Sequence, residues 1–228
     1  MKMPLRFLLL IMGVALLGAA CNKDQAEGED LGYGYFPRKV GAWIEYQVDS
    51  MWRDDQAGVR DSVSYRLKEK VVEAYYDPAG RLSWRIHRFI LNANDEWVIR
   101  DVWTSTSDNF YAEVAEENVR RLKLSFPVRS GRKWDLNVYN SEAELEVAYR
   151  EVGQAWAGPV ITFPRTVLIK NTVGPNFIIK RNHEERYALD IGLVSRYWEE
   201  MESQPDTAGI LRVVGWRLNM AAIAYGTE

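Results

Sequence analysis

The chain has 228 residues, with 29 basic against 32 acidic side chains and a formal net charge of −3. That balance lacks the basic footprint that nucleic acid demands, so no nucleic-acid partner is expected. One cysteine excludes a disulfide framework and a cysteine metal cage, so nine tryptophans and twelve tyrosines must do much of the packing.

Lys2 and Arg6 precede an apolar run, Phe7 to Leu17, interrupted only by Gly13, and Gly18, Ala19 and Ala20 then lead to Cys21. This is the order of a secretory signal peptide, and the run is too short to span a membrane. Small residues ending at a lone cysteine resemble a bacterial lipobox, although Gly18 stands where Leu usually lies. The resemblance implies that residues 1–20 are removed and that Cys21 is the lipidation site. The membrane, reached through acyl chains on Cys21, is then the first partner. The chain is expected to be exported and held at the outer membrane or cell envelope of a Gram-negative bacterium. An ordinary cleaved leader with an incidental cysteine is the simpler alternative. Residues 21–34, polar, acidic and glycine-containing, read as a flexible tether, and a single β-rich domain is expected over 35–228.

From Tyr35 onward the dominant period is two. Ile44, Tyr46 and Val48 alternate with Glu45, Gln47 and Asp49, and Val63, Tyr65 and Leu67 alternate with polar residues. Leu82, Trp84, Ile86, Arg88 and Ile90 share one face, and Trp97, Ile99 and Trp103 another. Such patterns indicate half-buried strands. Asp77-Pro78-Ala79-Gly80 and Asn92-Ala93-Asn94-Asp95 supply turns between them. Glu113–Leu122 fits a short helix or an irregular crossing. Ser141–Glu144 matches a capping box, but alternation through Ala143, Leu145, Val147 and Tyr149 favours a strand there. Further strands are expected in Arg165–Lys170, Asn176–Arg186, Leu193–Met201 and Leu211–Tyr225, with Ser203–Gly209 as a loop. The fold class is therefore mainly β: one antiparallel, curved sheet forming a half-open barrel or sandwich.

Phe36-Pro37-x-x-x-Gly41-x-Trp43 is echoed by Phe126-Pro127-x-x-x-Gly131-x-x-Trp134. Two crossings from the sheet edge into the core explain the echo better than duplicated binding loops. The opening Tyr35-Phe36-Pro37-x-x-x-Gly41-x-Trp43-x-x-Tyr46 and the late Glu185-Arg186-Tyr187-Ala188-x-x-Ile191-Gly192-Leu193-Val194 resemble a broad group of uncharacterised Gram-negative lipoproteins. Asp190 departs from the small or basic residue often found before the Ile-Gly step in that group. The resemblance implies predominantly β envelope or periplasmic lipoproteins, with no established activity.

No G-x-S-x-G elbow is present, and His87 and His183 sit in no hydrolase motif. Both read as exposed or half-exposed strand residues rather than catalytic bases, and no enzyme activity is expected. Adjacent strand residues point to opposite faces, so His183, Glu184 and Glu185 cannot all ligate one metal; no metal or cofactor is expected. The carboxylate pairs Asp54-Asp55, Glu184-Glu185 and Glu199-Glu200 read as solvated rather than as a glycosidase pair. Among the aromatics, Trp43, Trp52 and Trp103 are the candidate binding residues. By parity Trp52 belongs with Tyr46 and Val48, leaving Trp43 as the more exposed ring. The primary functional expectation is a non-catalytic lipoprotein binding a partner protein or a glycan. A carrier of an apolar lipid ligand, the alternative, needs an apolar cavity of roughly 300 Å³ or more. A hydrolase without a motif is the second alternative.

Overall fold

The computed structural model describes residues 30–228. The leader, Cys21 and most of the expected tether lie outside the described residues. The compact unit starts at Leu31, ahead of the expected Tyr35. Two contacts place the start there: Val128 N–H donates to the Leu31 carbonyl at 3.0 Å, and the Tyr35 ring is buried.

Twelve strands follow in chain order: β1 (Ala42–Asp54), β2 (Val59–Tyr76), β3 (Leu82–Leu91), β4 (Trp97–Ser107), β5 (Tyr111–Glu116) and β6 (Val119–Ser125), then β7 (Lys133–Asp135), β8 (Glu146–Ala157), β9 (Thr162–Asn171), β10 (Ile179–Ala188), β11 (Gly192–Pro205) and β12 (Leu211–Thr227). Every pairing is antiparallel, and the sheet order is β6-β5-β4-β3-β2-β1-β12-β11-β10-β9-β8-β7. That is an up-and-down meander whose first and last strands pair, so the sheet curls into a nearly closed barrel with one seam between β6 and β7. Register shifts interrupt β1–β12, β2–β3, β3–β4, β5–β6, β8–β9 and β10–β11. Each such bulge bends its strand and increases local twist, which is how a long sheet closes on itself.

β7 is only three residues long, so most of the β6 edge has no strand beside it. Other groups satisfy that edge. Leu122 N–H donates to the Leu136 carbonyl at 2.9 Å, and Trp134 Nε1 donates to the Leu122 carbonyl at 2.9 Å. Tyr149 Oη accepts from Ser125 N–H and donates to the Ser125 carbonyl, both at 3.0 Å.

The meander refines three sequence readings. Glu113–Leu122 is a β-hairpin, neither helix nor irregular crossing. Glu117 and Asn118 both take positive φ (49° and 69°), the geometry of a two-residue hairpin turn. Trp97, Ile99 and Trp103 do not share a face. Opposite Arg88 and Phe89 the β4 register skips Arg100, and this one-residue slip leaves Ile99 exposed while Trp103 is buried. The FP-x-x-x-G echo falls at comparable places: one copy leads into β1 and the other joins β6 to β7, so each opens a run of six strands. In both copies the phenylalanine is buried and the glycine has positive φ (89° and 79°).

Candidate functional site

The segment 31–41 crosses one end of the barrel. It touches the β6–β7 connection through Leu31 and the β10–β11 turn through Gly34, whose carbonyl accepts from Asp190 N–H at 2.7 Å. It reaches β4 through Arg38 and β2 through Gly41, whose N–H donates to the Val71 carbonyl at 2.8 Å. Gly41 is required there. A Cβ would sit 2.2 Å from the Glu228 carbonyl oxygen.

Beneath this strap lies a cavity of about 250 Å³. Ile44, Val71, Ile86, Trp103, Val114 and Leu193 make an apolar wall, whereas Glu116, Lys123 and Arg196 add charge. Trp43, Asp190, Tyr225 and Gly226 also border it.

The charged part is a buried cluster. Lys123 Nζ lies 2.8 Å from both Glu116 Oε1 and Glu185 Oε1, and Arg196 approaches the same two carboxylates at 2.7 and 2.8 Å. Tyr187 Oη donates to Glu185 Oε2 at 2.6 Å. Two cations thus face two anions, and Arg121, itself paired with Glu142, approaches Glu116 at 3.6 Å. Burial works against charge on Glu116 and Glu185, but Arg196 and Lys123 outweigh it and hold both carboxyls below their ordinary range. Arg196 is pushed well above its ordinary value, its carboxylate partners overcoming its own desolvation.

Arg38 behaves differently. Its Nε donates to Ser105 Oγ at 2.8 Å, its Nη1 donates to the Pro37 carbonyl at 3.0 Å, and its guanidinium lies 3.7 Å from the Phe36 ring centroid. Among the described residues no carboxylate comes within ion-pair distance of it. Desolvation lowers its pKa to about 10, which leaves it charged at neutral pH. Nearby, Arg88 is saturated: it binds Glu69 and Asp101 at 3.0 Å each and stacks 3.5 Å from the Trp103 ring centroid.

The three candidate tryptophans do not converge. Trp103 forms part of the cavity wall, and its indole N–H is buried without an acceptor among the described residues. Trp43 borders the cavity, with its ring packed over Gly226 and the Lys68 ammonium 5.1 Å from its centroid. Trp52 is 47% exposed and lies nine residues further along β1, about 30 Å away at strand rise. It takes no part in the site. The expected order of exposure is thereby reversed, because parity assigns a face but not what covers it. Trp43 is covered by β12, whereas Trp52 lies toward the far end of the strand.

His183 and the carboxylate pairs also depart from expectation. His183 and Glu185 are both 0% exposed, and Glu199 is buried. Alternation carries Glu185 inward from a run of charges and leaves Glu184 in an outer ion pair with Lys170 at 2.6 Å. His183 lies edge-on to Trp198, 4.6 Å between centroids; neither ring nitrogen has a hydrogen-bond partner among the described residues, and Nε2 stands 3.8 Å from Glu185 Oε1. Burial drives its pKa down to about 3, so it is neutral. Asp55 is engaged by Arg53 at 2.7 Å, and Glu199 by Asn182 and Lys180. Each of these carboxylates has a structural partner.

Lys123, Glu116 and Arg38 escaped the sequence reading altogether. Lys123 is the extra residue of a bulge, since Ala112 pairs with Leu124 but Glu113 pairs with Leu122. Its inward direction therefore breaks parity. Glu116 sits at a hairpin end, and Arg38 belongs to a crossing with no period at all. The one usable signal was Glu185, which shares parity with Tyr187.

No protein-family model matches this chain, and no curated protein matches its sequence. The chain is similar in fold to a Bacteroides fragilis protein assigned as exported and described as having a YmcC-like fold, at 13% identity and TM-score 0.43 over 84% of this chain and 98% of that one. It is also similar to a Parabacteroides distasonis protein assigned as a lipoprotein, at 12% identity and TM-score 0.41 over the same shares.

Proposed function

We propose that this chain is an exported, lipid-anchored, non-catalytic protein whose barrel binds a small ligand in the cavity beneath the 31–41 strap. The leader and Cys21 support export and anchoring at the envelope. The cavity itself carries the binding reading: it is a partly open space at one barrel end, bordered by aromatic and aliphatic side chains with one cation that makes no ion pair. At about 250 Å³ it falls just below the usual range of ligand pockets, so the ligand is small. Its charged residues argue against a carrier of wholly apolar lipid. The burial of His183 and the ion pairs of Glu185 and Asp55 count against those three groups as the base of the hydrolase alternative. Native mass spectrometry of protein taken from envelopes tests the reading. An added small-molecule mass in the unaltered chain, absent when Ala42→Trp narrows the cavity border, is the expected result. A bare polypeptide mass in both would overturn it.

One observation favours a partner protein instead. Phe177 is fully exposed in the β9–β10 loop, with Val173 and Ile178 also exposed beside it. Loss of an envelope cross-link on Phe177→Ser, with the cavity unaffected, would support that second reading.

A further inference from the structure

The cavity reading can be taken one step further, and this step rests on it. We infer that the cavity selects small amphipathic anions, with Arg38 receiving a carboxylate or phosphate monoester while the apolar wall of Ile44, Val71, Ile86 and Val114 holds the carbon body.

A guanidinium carries five N–H groups in a planar fork that matches an oxyanion. Arg38 uses Nε on Ser105 and one Nη1 hydrogen on Pro37, and Nη2 makes no hydrogen bond among the described residues. Nη2 is also not among the buried atoms left without a partner, so it keeps accessible surface. Trp103 lies two residues from Ser105 on β4, about 7 Å along the strand; its indole N–H is buried with no acceptor among the described residues and is not open to the cavity. The spare donor at this wall is Arg38 Nη2. The remaining acidic residues at the cavity make no ion pair with Arg38: Glu69 favours its charge from a distance but is bound by Arg88, Glu116 is bound by Lys123 and Arg196, and Asp190 is exposed. A cation so placed contributes nothing to an ion pair within the protein. A ligand oxyanion would supply the missing partner, and a charge-assisted bidentate pair is the strong form of such a bond.

The size of the cavity limits the body of the ligand. At roughly 30 Å³ for each water-sized group, about eight such groups fill it. Octanoate and hexyl phosphate are suitable probes, with octanamide as the neutral control.

Titrating each probe into the full chain in nanodiscs, read by tryptophan fluorescence with probe-free discs subtracted, tests the inference. Octanoate or hexyl phosphate should bind at least tenfold more tightly than octanamide. Arg38→Gln should abolish that preference while leaving octanamide affinity unchanged, and Arg38→Lys should retain part of it. The tighter of the two anions identifies the head group. Equal binding of octanoate, hexyl phosphate and octanamide, or an anion preference that survives Arg38→Gln in a chain with an unchanged melting curve, would overturn the inference while leaving the cavity reading intact. Binding of no probe at all would overturn the inference, and with a bare native mass it would remove the cavity reading too.

Discussion

Two sets of charges lie inside the same barrel, and they differ in how completely they are answered. Around Lys123 every charge meets an opposite one: Glu116 and Glu185 are each held by Lys123 and Arg196, and Tyr187 adds a hydrogen bond to Glu185. At Arg38, a few residues before β1, a desolvated guanidinium has a hydroxyl and a carbonyl for partners but no carboxylate. Low dielectric strengthens a satisfied network and penalises an unanswered charge. The first group therefore holds the walls together, and the second is held ready by its surroundings for something outside the chain.

Substitutions should separate the two. The largest effect is expected from Lys123→Met, which leaves Glu185 with Arg196 as its one close cation and Glu116 with Arg196 and the more distant Arg121. Urea unfolding should show a loss of about 3–5 kcal/mol. A loss below about 1 kcal/mol would mean that the cluster is hydrated rather than buried. Tyr187→Phe removes one donor from Glu185 and should cost about 1.5–3 kcal/mol in the same measurement.

His183 gives the pH dependence of the saturated region. Its pKa is about 3 in the fold against 6.5 in the open chain, so between those values the unfolded state takes up a proton that the fold refuses. Stability therefore falls as pH drops through 6.5, by about 2 kcal/mol between pH 7 and pH 5 from this group alone. His183→Leu should flatten that stretch of the curve. Below about pH 4.5 a second decline begins in both proteins. There Glu116 and Glu185, whose folded values lie below their unfolded ones, lose the stability they contribute at higher pH. The smallest effect on stability belongs to Arg38→Gln, less than about 1 kcal/mol by chemical denaturation. A large loss there would reassign Arg38 to the structural set.

The strand succession was legible because period-two alternation survives wherever the ladder is regular, as from Ile44 to Val48. It failed where bulges intervene. The skipped Arg100 parted Ile99 from Trp103, and the bulge at Lys123 sent a lysine into the core against its parity. The half-open barrel was foreseen, but not how its seam is sealed. Tyr149 and Trp134 seal the seam through backbone atoms more than ten residues away in sequence. Of the candidate site, Trp43 and Trp103 were picked out for their chemistry, but Arg38 lies in an aperiodic crossing. Its role depends on what fails to surround it, which a linear reading does not reveal.

The central claim is that the end cavity is occupied by a ligand when the protein works. A high-resolution structure of protein purified from envelopes without refolding tests this most directly. Discrete non-protein density against Arg38 and Trp103, with an oxyanion facing the guanidinium, is the predicted result. Ordered water alone, or a strap that has collapsed onto Trp103 and filled the space, would contradict it.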